Sequence, residues 1–417
     1  MKKTLAIILT VLAACPALHA DGPKIKRGWS IAPLPAISYS TDLGLQLGVY
    51  CDIYDYGDGT LFPEYIHKIN AEIAWFTKGS GIFHAFYDSK HLIPGIRLTA
   101  SASYIINTML DFYGFNGYSS PYSRSRSKGF NAIDRNLLRI MADFQGPIGR
   151  GFGWAAGASF WSYDISRIKL GKYADEVTLY DLYLEHGIIR PQEVRGGSHL
   201  ELKAGAVYDT RDHEPDPMRG MYADIIFTGS PDIFSRHGNS YLKVALSFRH
   251  YVPLAGDRLT FAYRLSYQGT LAGRPPFYMQ QNLTTLYLRQ IYYEGLGGSV
   301  TLRGLLYTRV VGDGFAYGNA ELRWRMFGFR LLRQDWYVVL NPFFDAGMVT
   351  QPYRLEAMKQ SGEPLIYDGA SEHLHMSAGA GLKFIGNRNF VISVELGFPF
   401  DRRDGTSGVN MGLNYIF

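Results

Sequence analysis

The chain has 417 residues, of which 47% are hydrophobic, 15% aromatic and only 19% charged, with 30 Tyr and 46 Gly. A net charge of +5 without any basic run argues against a nucleic-acid partner. So much Tyr and Gly is unusual for a soluble enzyme and suits many strands with aromatic girdles and tight turns.

Residues 1–20, MKKTLAIILTVLAACPALHA, read as an export signal, with Lys2 and Lys3 ahead of an apolar stretch and small residues leading to Ala20. Leu12-Ala13-Ala14-Cys15 also fits a lipoprotein signal, so lipidation at Cys15 stands beside cleavage after Ala20. Cleavage is preferred, because a barrel needs no lipid anchor. It leaves Cys51 as the one cysteine, and no intrachain disulfide is expected. No later run reaches the roughly 18 consecutive apolar residues of a membrane helix. An exported, apolar chain without helical spans points to a transmembrane β-barrel, because only helices and closed barrels satisfy every backbone group in lipid.

Residues 21–28 then form a short lead and 29–417 the outer-membrane barrel, with no periplasmic domain expected. In 43–53, Leu43, Leu45, Leu47, Val49, Cys51 and Ile53 alternate with Gly44, Gln46, Gly48, Tyr50 and Asp52, giving one apolar and one polar face. The same alternation recurs in 258–268 and 390–398, over about the ten residues that a tilted strand needs to cross a bilayer. Sixteen strands are predicted, starting near Gly28, Leu43, His67, Gly81, Ile96, Leu137, Phe152, His199, Gly220, Ser240, Arg258, Gly314, Asp335, His375, Asn389 and Gly408. Most even strands are followed by short turns; the long connections, 114–136, 166–198, 271–313 and 351–374, follow odd ones. Short periplasmic turns, long outer loops and an even count describe an all-β, transmembrane antiparallel β-barrel in an outer membrane.

The two ends of the chain define an expected seam. On the first strand, Pro33 and Pro35 remove two N–H donors directed at the same neighbour. The expectation is that this neighbour is the last strand, so that the closure is weak. That last strand, 408–417, places Val409, Met411, Leu413, Tyr415 and Phe417 on one face, and a terminal aromatic is typical of bacterial outer-membrane barrels.

Three segments carry a resemblance. They are PLPAISYSTDLGLQLG (33–48), YDTRDHEPDPMRG (208–220), and GGSVTLRG (297–304) followed by GNAELRW (318–324) and FFDAG (343–347). In this order, on predicted strands 1–2, 8–9 and 11–13, they resemble the BamA/TamA superfamily of outer-membrane proteins, also called bacterial surface antigens. The resemblance implies that the sixth outer loop folds inward and pins an arginine against carboxylates of the wall. Arg303 holds that place, and Gly297, Gly298 and Gly304 let the loop turn tightly. Alternation points Tyr317, Asn319, Glu321 and Arg323 inward on one strand and Asn341, Phe343 and Asp345 on the next. A guanidinium could fork across Glu321 and Asp345; the plainer reading is a solvated loop arginine.

Asp209, Arg211 and Asp212, ahead of Gly220, admit a catalytic reading. A salt bridge setting register at a strand end, with Pro215 and Pro217 closing the turn, is preferred. The histidines lack ligand spacing apart from His373 and His375, and neither a metal site nor a cofactor is expected.

The resemblance implies a role in assembly, insertion or translocation of outer-membrane proteins. Members usually carry periplasmic POTRA domains, so here a separate periplasmic or outer-membrane protein partner is expected, within outer-membrane lipid. The alternative is a gated or passive pore preferring anions, since Lys243, Arg249, Arg258, Arg264, Arg323 and Arg325 outnumber Glu321, Asp345 and Glu395 among inward positions. A lipid-hydrolysing barrel enzyme would need a paired Ser and His near one rim, and no such spacing stands out, so no enzymatic activity is expected.

Overall fold

The computed structural model describes residues 25–40, 44–62, 64–234, 239–284, 293–331, 334–386, 390–413 and 415–417. The expected signal at 1–20 with Cys15, the first half of the lead, and the predicted starts Leu43 and Asn389 lie outside these residues.

The described strands are β1 (Trp29–Ser40), β2 (Gly44–Asp55), β3 (His67–Phe76), β4 (Gly81–Ile93), β5 (Ile96–Asp111), β6 (Ala132–Gly149), β7 (Phe152–Arg167) and β8 (Gly196–Asp209). They continue with β9 (Gly220–Ser230), β10 (Tyr241–Ala255), β11 (Leu259–Gly273), β12 (Gly314–Leu331), β13 (Gln334–Gln351), β14 (His375–Gly386), β15 (Phe390–Pro399) and β16 (Gly408–Leu413). All belong to one sheet in which each pairs antiparallel with its sequence neighbours, from β1 at one end to β16 at the other.

The sheet is inside-out relative to a soluble protein. On β6, Arg135, Arg139 and Asp143 are buried, while Leu138 and Ile140 between them are exposed. On β2, Leu45, Leu47 and Val49 are exposed, and on β3 Ile73 and Trp75 are. Water would penalise such an apolar outer face heavily, and lipid does not. Side chains far apart in sequence meet on the polar face, so the sheet curls around that face.

Nine Lys and Arg are buried, against ten Asp and Glu, among the described residues. The inward cationic excess expected from sequence is therefore absent. Arg258 was counted in that excess, but it lies in the β10–β11 connection and is exposed. Glu201, Asp143, Glu294 and Asp404, which were not counted, are buried.

The long connections gather at one end and pack into a shared apolar cap. Phe112, Phe115, Tyr180, Tyr183, Phe277, Tyr353 and Met358 belong to one buried cluster, with Phe112 and Tyr183 rings edge-on at 5.6 Å. The helix Leu179–Glu185 is placed by a capping box in which the Thr178 hydroxyl accepts from Asp181 N and the Asp181 carboxylate accepts from Thr178 N. Asn116 ties two connections together, its side chain accepting from Tyr353 N at 2.7 Å and donating to Tyr353 O at 2.8 Å.

The last strand departs from expectation. β16 ends at Leu413, with Val409 and Met411 exposed on the apolar face, but the chain beyond it turns to the polar side. Phe417 is only 6% exposed and packs on Tyr251 and Ala262. Arg264 donates to Ile416 O at 3.0 Å and Arg323 to Phe417 O at 3.1 Å. The Arg323 guanidinium also lies 3.8 Å from the Tyr415 ring centre and 5.0 Å from that of Phe417. The interior thus offers the tail cation–π contacts, and N–H donors for its carbonyls, that an outward position in lipid could not. Pro33 and Pro35 stand in register with Cys51 and Val49 of β2.

Candidate functional site

The connection between β11 and β12, residues 274–313, is pinched before it reaches the polar face. Leu296 and Val310 exchange backbone hydrogen bonds of 2.8 and 3.0 Å. Leu296, Leu302, Leu305 and Val310 pack with Phe315 of β12 and Val349 of β13. Within the pinch the Thr301 hydroxyl donates to Gly297 O at 3.0 Å and accepts from Gly297 N at 2.8 Å. Gly297, Gly298 and Gly304 have φ of +121°, +77° and +96°, conformations that side chains disfavour. Gly304 needs its hydrogen for a second reason: a Cβ there would lie 2.6 Å from the carbonyl carbon of Gly397 on β15. The loop backbone presses directly onto the wall at that point.

Arg303 is at the tip of this turn and fully buried. Its Nε and Nη2 donate to Asp345 at 2.9 and 2.8 Å, and its own backbone N donates to the same carboxylate at 3.0 Å. Nη1 donates to Glu321 at 2.6 Å and to Glu395 at 2.8 Å. The guanidinium also lies 3.6 Å from the ring centre of Phe343. Register explains the convergence: Asn319 pairs with Asp345 and Glu321 with Phe343 across β12 and β13, while Gly381 pairs with Glu395 across β14 and β15.

Two more cations complete the cluster. Arg323 Nε donates to Glu321 at 2.9 Å and Lys383 Nζ to Glu395 at 2.9 Å. Asn319 donates to Asp345 at 2.7 Å and to Thr301 O at 2.6 Å. Three cations thus face three carboxylates with bonds nearly saturated, an arrangement suited to fastening rather than to proton transfer. Burial alone would push the Arg303 guanidinium down, but Glu321, Asp345 and Glu395 hold it raised, so the charge is permanent.

The other sequence-derived residues lie elsewhere. Arg211 donates to Asp209 through Nε at 2.9 Å and Nη2 at 2.7 Å. Asp212 accepts from Met218 N at 2.9 Å and Arg219 N at 3.2 Å. Gly220 has φ +94°, and a Cβ there would meet Thr210 O at 2.2 Å. These residues form one turn between β8 and β9. His375 is held between Asp404 at 2.8 Å and Glu372 at 3.1 Å, and among the described residues no group of three His, Cys, Asp or Glu could hold a metal. Lys383, Glu395, Gly397 and Phe343 were not assigned to the Arg303 site from sequence. Alternation had marked Glu395 and Phe343 as inward, but nothing local links β15 to a loop ninety residues earlier.

Residues 114–417 match the Omp85 superfamily domain. This chain belongs to the Omp85 superfamily. The resemblance to BamA/TamA proteins read from the three segments therefore holds, and the chain is an integral outer-membrane β-barrel protein. Among solved structures it is similar to BamA from Haemophilus ducreyi lacking POTRA domains 1–3, with TM-score 0.55 and 16% identity over 93% of this chain and 69% of that one. It is also similar to CdiB from Escherichia coli, with TM-score 0.56 and 12% identity over 92% of this chain and 61% of that one. At these identities the likeness shows the fold. No curated protein matches the sequence.

In this Omp85 chain the β11–β12 connection has further cationic ties. Lys243 of β10, buried, donates to the carbonyls of Met279 and Gln280 at 3.2 Å each. Arg135 of β6 pairs with Glu294 at 2.5 Å, both side chains 1% exposed. Arg264 of β11 donates to Val300 O at 2.7 Å. Arg309, from the connection itself, reaches out to Gly117 O and Arg403 O at 3.0 and 2.9 Å.

Proposed function

We propose that this protein takes part in the assembly, insertion or translocation of outer-membrane proteins, with a separate periplasmic partner delivering the client. In this reading the sheet closes into a sixteen-strand barrel between β1 and β16. The β11–β12 connection is the sixth outer loop, locked inside by Arg303, and the β1–β16 seam is the working edge. The observation that carries the reading is the asymmetry of that seam: β16 contributes six residues to the sheet and β1 twelve, and the chain after β16 turns inward instead of continuing along β1. A seam between a short strand and a proline-bearing one is weak and leaves backbone donors and acceptors available to an incoming strand. Reception of the client is assigned to another polypeptide.

An anion-preferring pore has less support. The apolar cap lies across the long-loop end, and the inward charges balance. Reconstitution into liposomes separates the two readings. Accelerated folding of an added client barrel, raised further by periplasmic extract, is the expected result. Steady anion-selective conductance without any effect on client folding would overturn it.

A further inference from the structure

The β8–β9 connection, residues 210–219, lies at the short-turn end and reaches two separate stretches of wall. Glu214 accepts from Arg97 Nη1 of β5 at 3.2 and 3.3 Å, with Lys90 Nζ of β4 at 3.9 Å. Arg97 is itself aimed by Asp88 of β4 through two bonds of 2.7 Å. Two residues beyond Glu214, Asp216 accepts from Arg325 Nη2 of β12 at 2.7 Å and from the hydroxyl of Tyr337 on β13. β12 and β13 stand eight places along the sixteen-strand order from β4 and β5. In a closed wall that is the opposite side, so a connection touching both must lie across the opening.

The connection is built to move as one piece. Pro215 and Pro217 fix their φ angles and stiffen the acidic stretch. Arg211 is clamped to Asp209, and Asp212 accepts the two backbone N–H groups at the far end. Its two ends are pinned together where Thr210 N donates to Met221 O at 2.9 Å and Met221 N to the Thr210 hydroxyl at 3.1 Å. Above it is a cavity of about 350 Å³ whose walls include Arg211, Glu214, Pro215, Ser247, Arg264 and Phe417.

We propose that residues 210–219 form an ionic strap that closes the short-turn mouth and swings aside about Thr210 and Gly220 when Glu214 and Asp216 are released, opening the cavity. Water already reaches the Glu214 tie, whose carboxylate is 26% exposed, and touches the second through Arg325, 19% exposed, although Asp216 itself is buried. Screening and competing partners therefore act on them directly. The proposal rests on the closed wall of the proposed function, but not on any insertion activity.

The test places Ser247→Cys in the cavity, in a Cys51→Ala background of the purified full chain, and measures its modification by a bulky charged maleimide. Glu214→Gln with Asp216→Asn should raise the rate about tenfold or more, whereas Glu356→Gln, exposed in the β13–β14 connection at the other end, should leave it unchanged. In the unneutralised protein the rate should climb between about 0.1 and 1 M salt, as the Debye length falls from roughly 10 to 3 Å. Equal rates in the neutralised and parent proteins would overturn the strap. If the double variant loses its folded mobility on a gel, a flat salt response in the parent would do the same. Failure to fold a client would sink the insertion reading and leave this measurement untouched.

Discussion

The ionic ties at the β11–β12 and β8–β9 connections differ in what surrounds them. At the base of the β11–β12 connection, Arg303, Glu321 and Asp345 have no exposed side-chain surface, and one guanidinium serves three carboxylates. At the β8–β9 connection, water touches Glu214 and its cations, and Asp216, itself buried, meets a partly exposed Arg325. The chemistry is the same. A buried pair is hard to break, because separating it strands charge in a poor dielectric; a wetted pair trades its partner for water at little cost. One tie is suited to permanence and the other to release.

Removing Arg303 should show the largest effect. Arg303→Ala leaves three carboxylates facing only Arg323 and Lys383, a loss of about 3–5 kcal/mol, read as a lower temperature for losing the compact folded band on a gel. An unchanged temperature would break the comparison at its stronger end. Arg303→Lys should recover little, since an ammonium lacks the fork that spans Asp345 and Glu321.

Gly304→Ala comes next. It combines a φ of +96° with a Cβ 2.6 Å from the Gly397 backbone, and should cost about 1–3 kcal/mol. Gly298→Ala makes the sharper contrast, because its added Cβ would meet the Tyr307 ring, a side chain that can move, at 2.8 Å. Protease resistance of the β11–β12 connection should fall further in the first variant than in the second. The opposite order would show that the loop is not pressed on β15.

Lys243→Met removes the donor to Met279 and Gln280 while keeping the apolar stem, and should cost about 1–2 kcal/mol. Faster hydrogen exchange should be confined to residues around the helix Phe277–Gln280; uniform acceleration would contradict a local tie. The smallest effect belongs to Arg219→Ala. Its pair with Asp257 is 3.4 Å long, with both side chains more than 60% exposed, and melting should shift by no more than about 0.5 kcal/mol. If neutralising the strap destabilises the fold as much as Arg303→Ala does, the two regions are not different in kind.

Much of the fold was legible before any coordinates. Alternation within 43–53 and 258–268 marks strands because side chains on a strand point to opposite faces, and one face here meets lipid. The meeting of Arg303 with Glu321 and Asp345 was legible in two parts: parity on neighbouring β12 and β13 puts both acids on one side, and the resemblance to BamA/TamA proteins implied that the loop bearing Arg303 folds inward. Glu395 and Lys383 escaped because β14 and β15 approach the loop only through curvature of the sheet. The tail misled for the opposite reason. Val409, Met411, Tyr415 and Phe417 fit one alternating pattern, yet Arg264 and Arg323 draw the last three residues inward.

By itself the sequence determined the spacing of strands and turns, and which residues face the same way, because these follow from backbone geometry within a few residues. What the tertiary structure decided was which inward charges meet: three acids around Arg303, the β4–β5 and β12–β13 pairs linked through Glu214 and Asp216, a tail turned away from the outer face. Those choices depend on how far the sheet bends and on which ions stay dry, and no local pattern of residues encodes either.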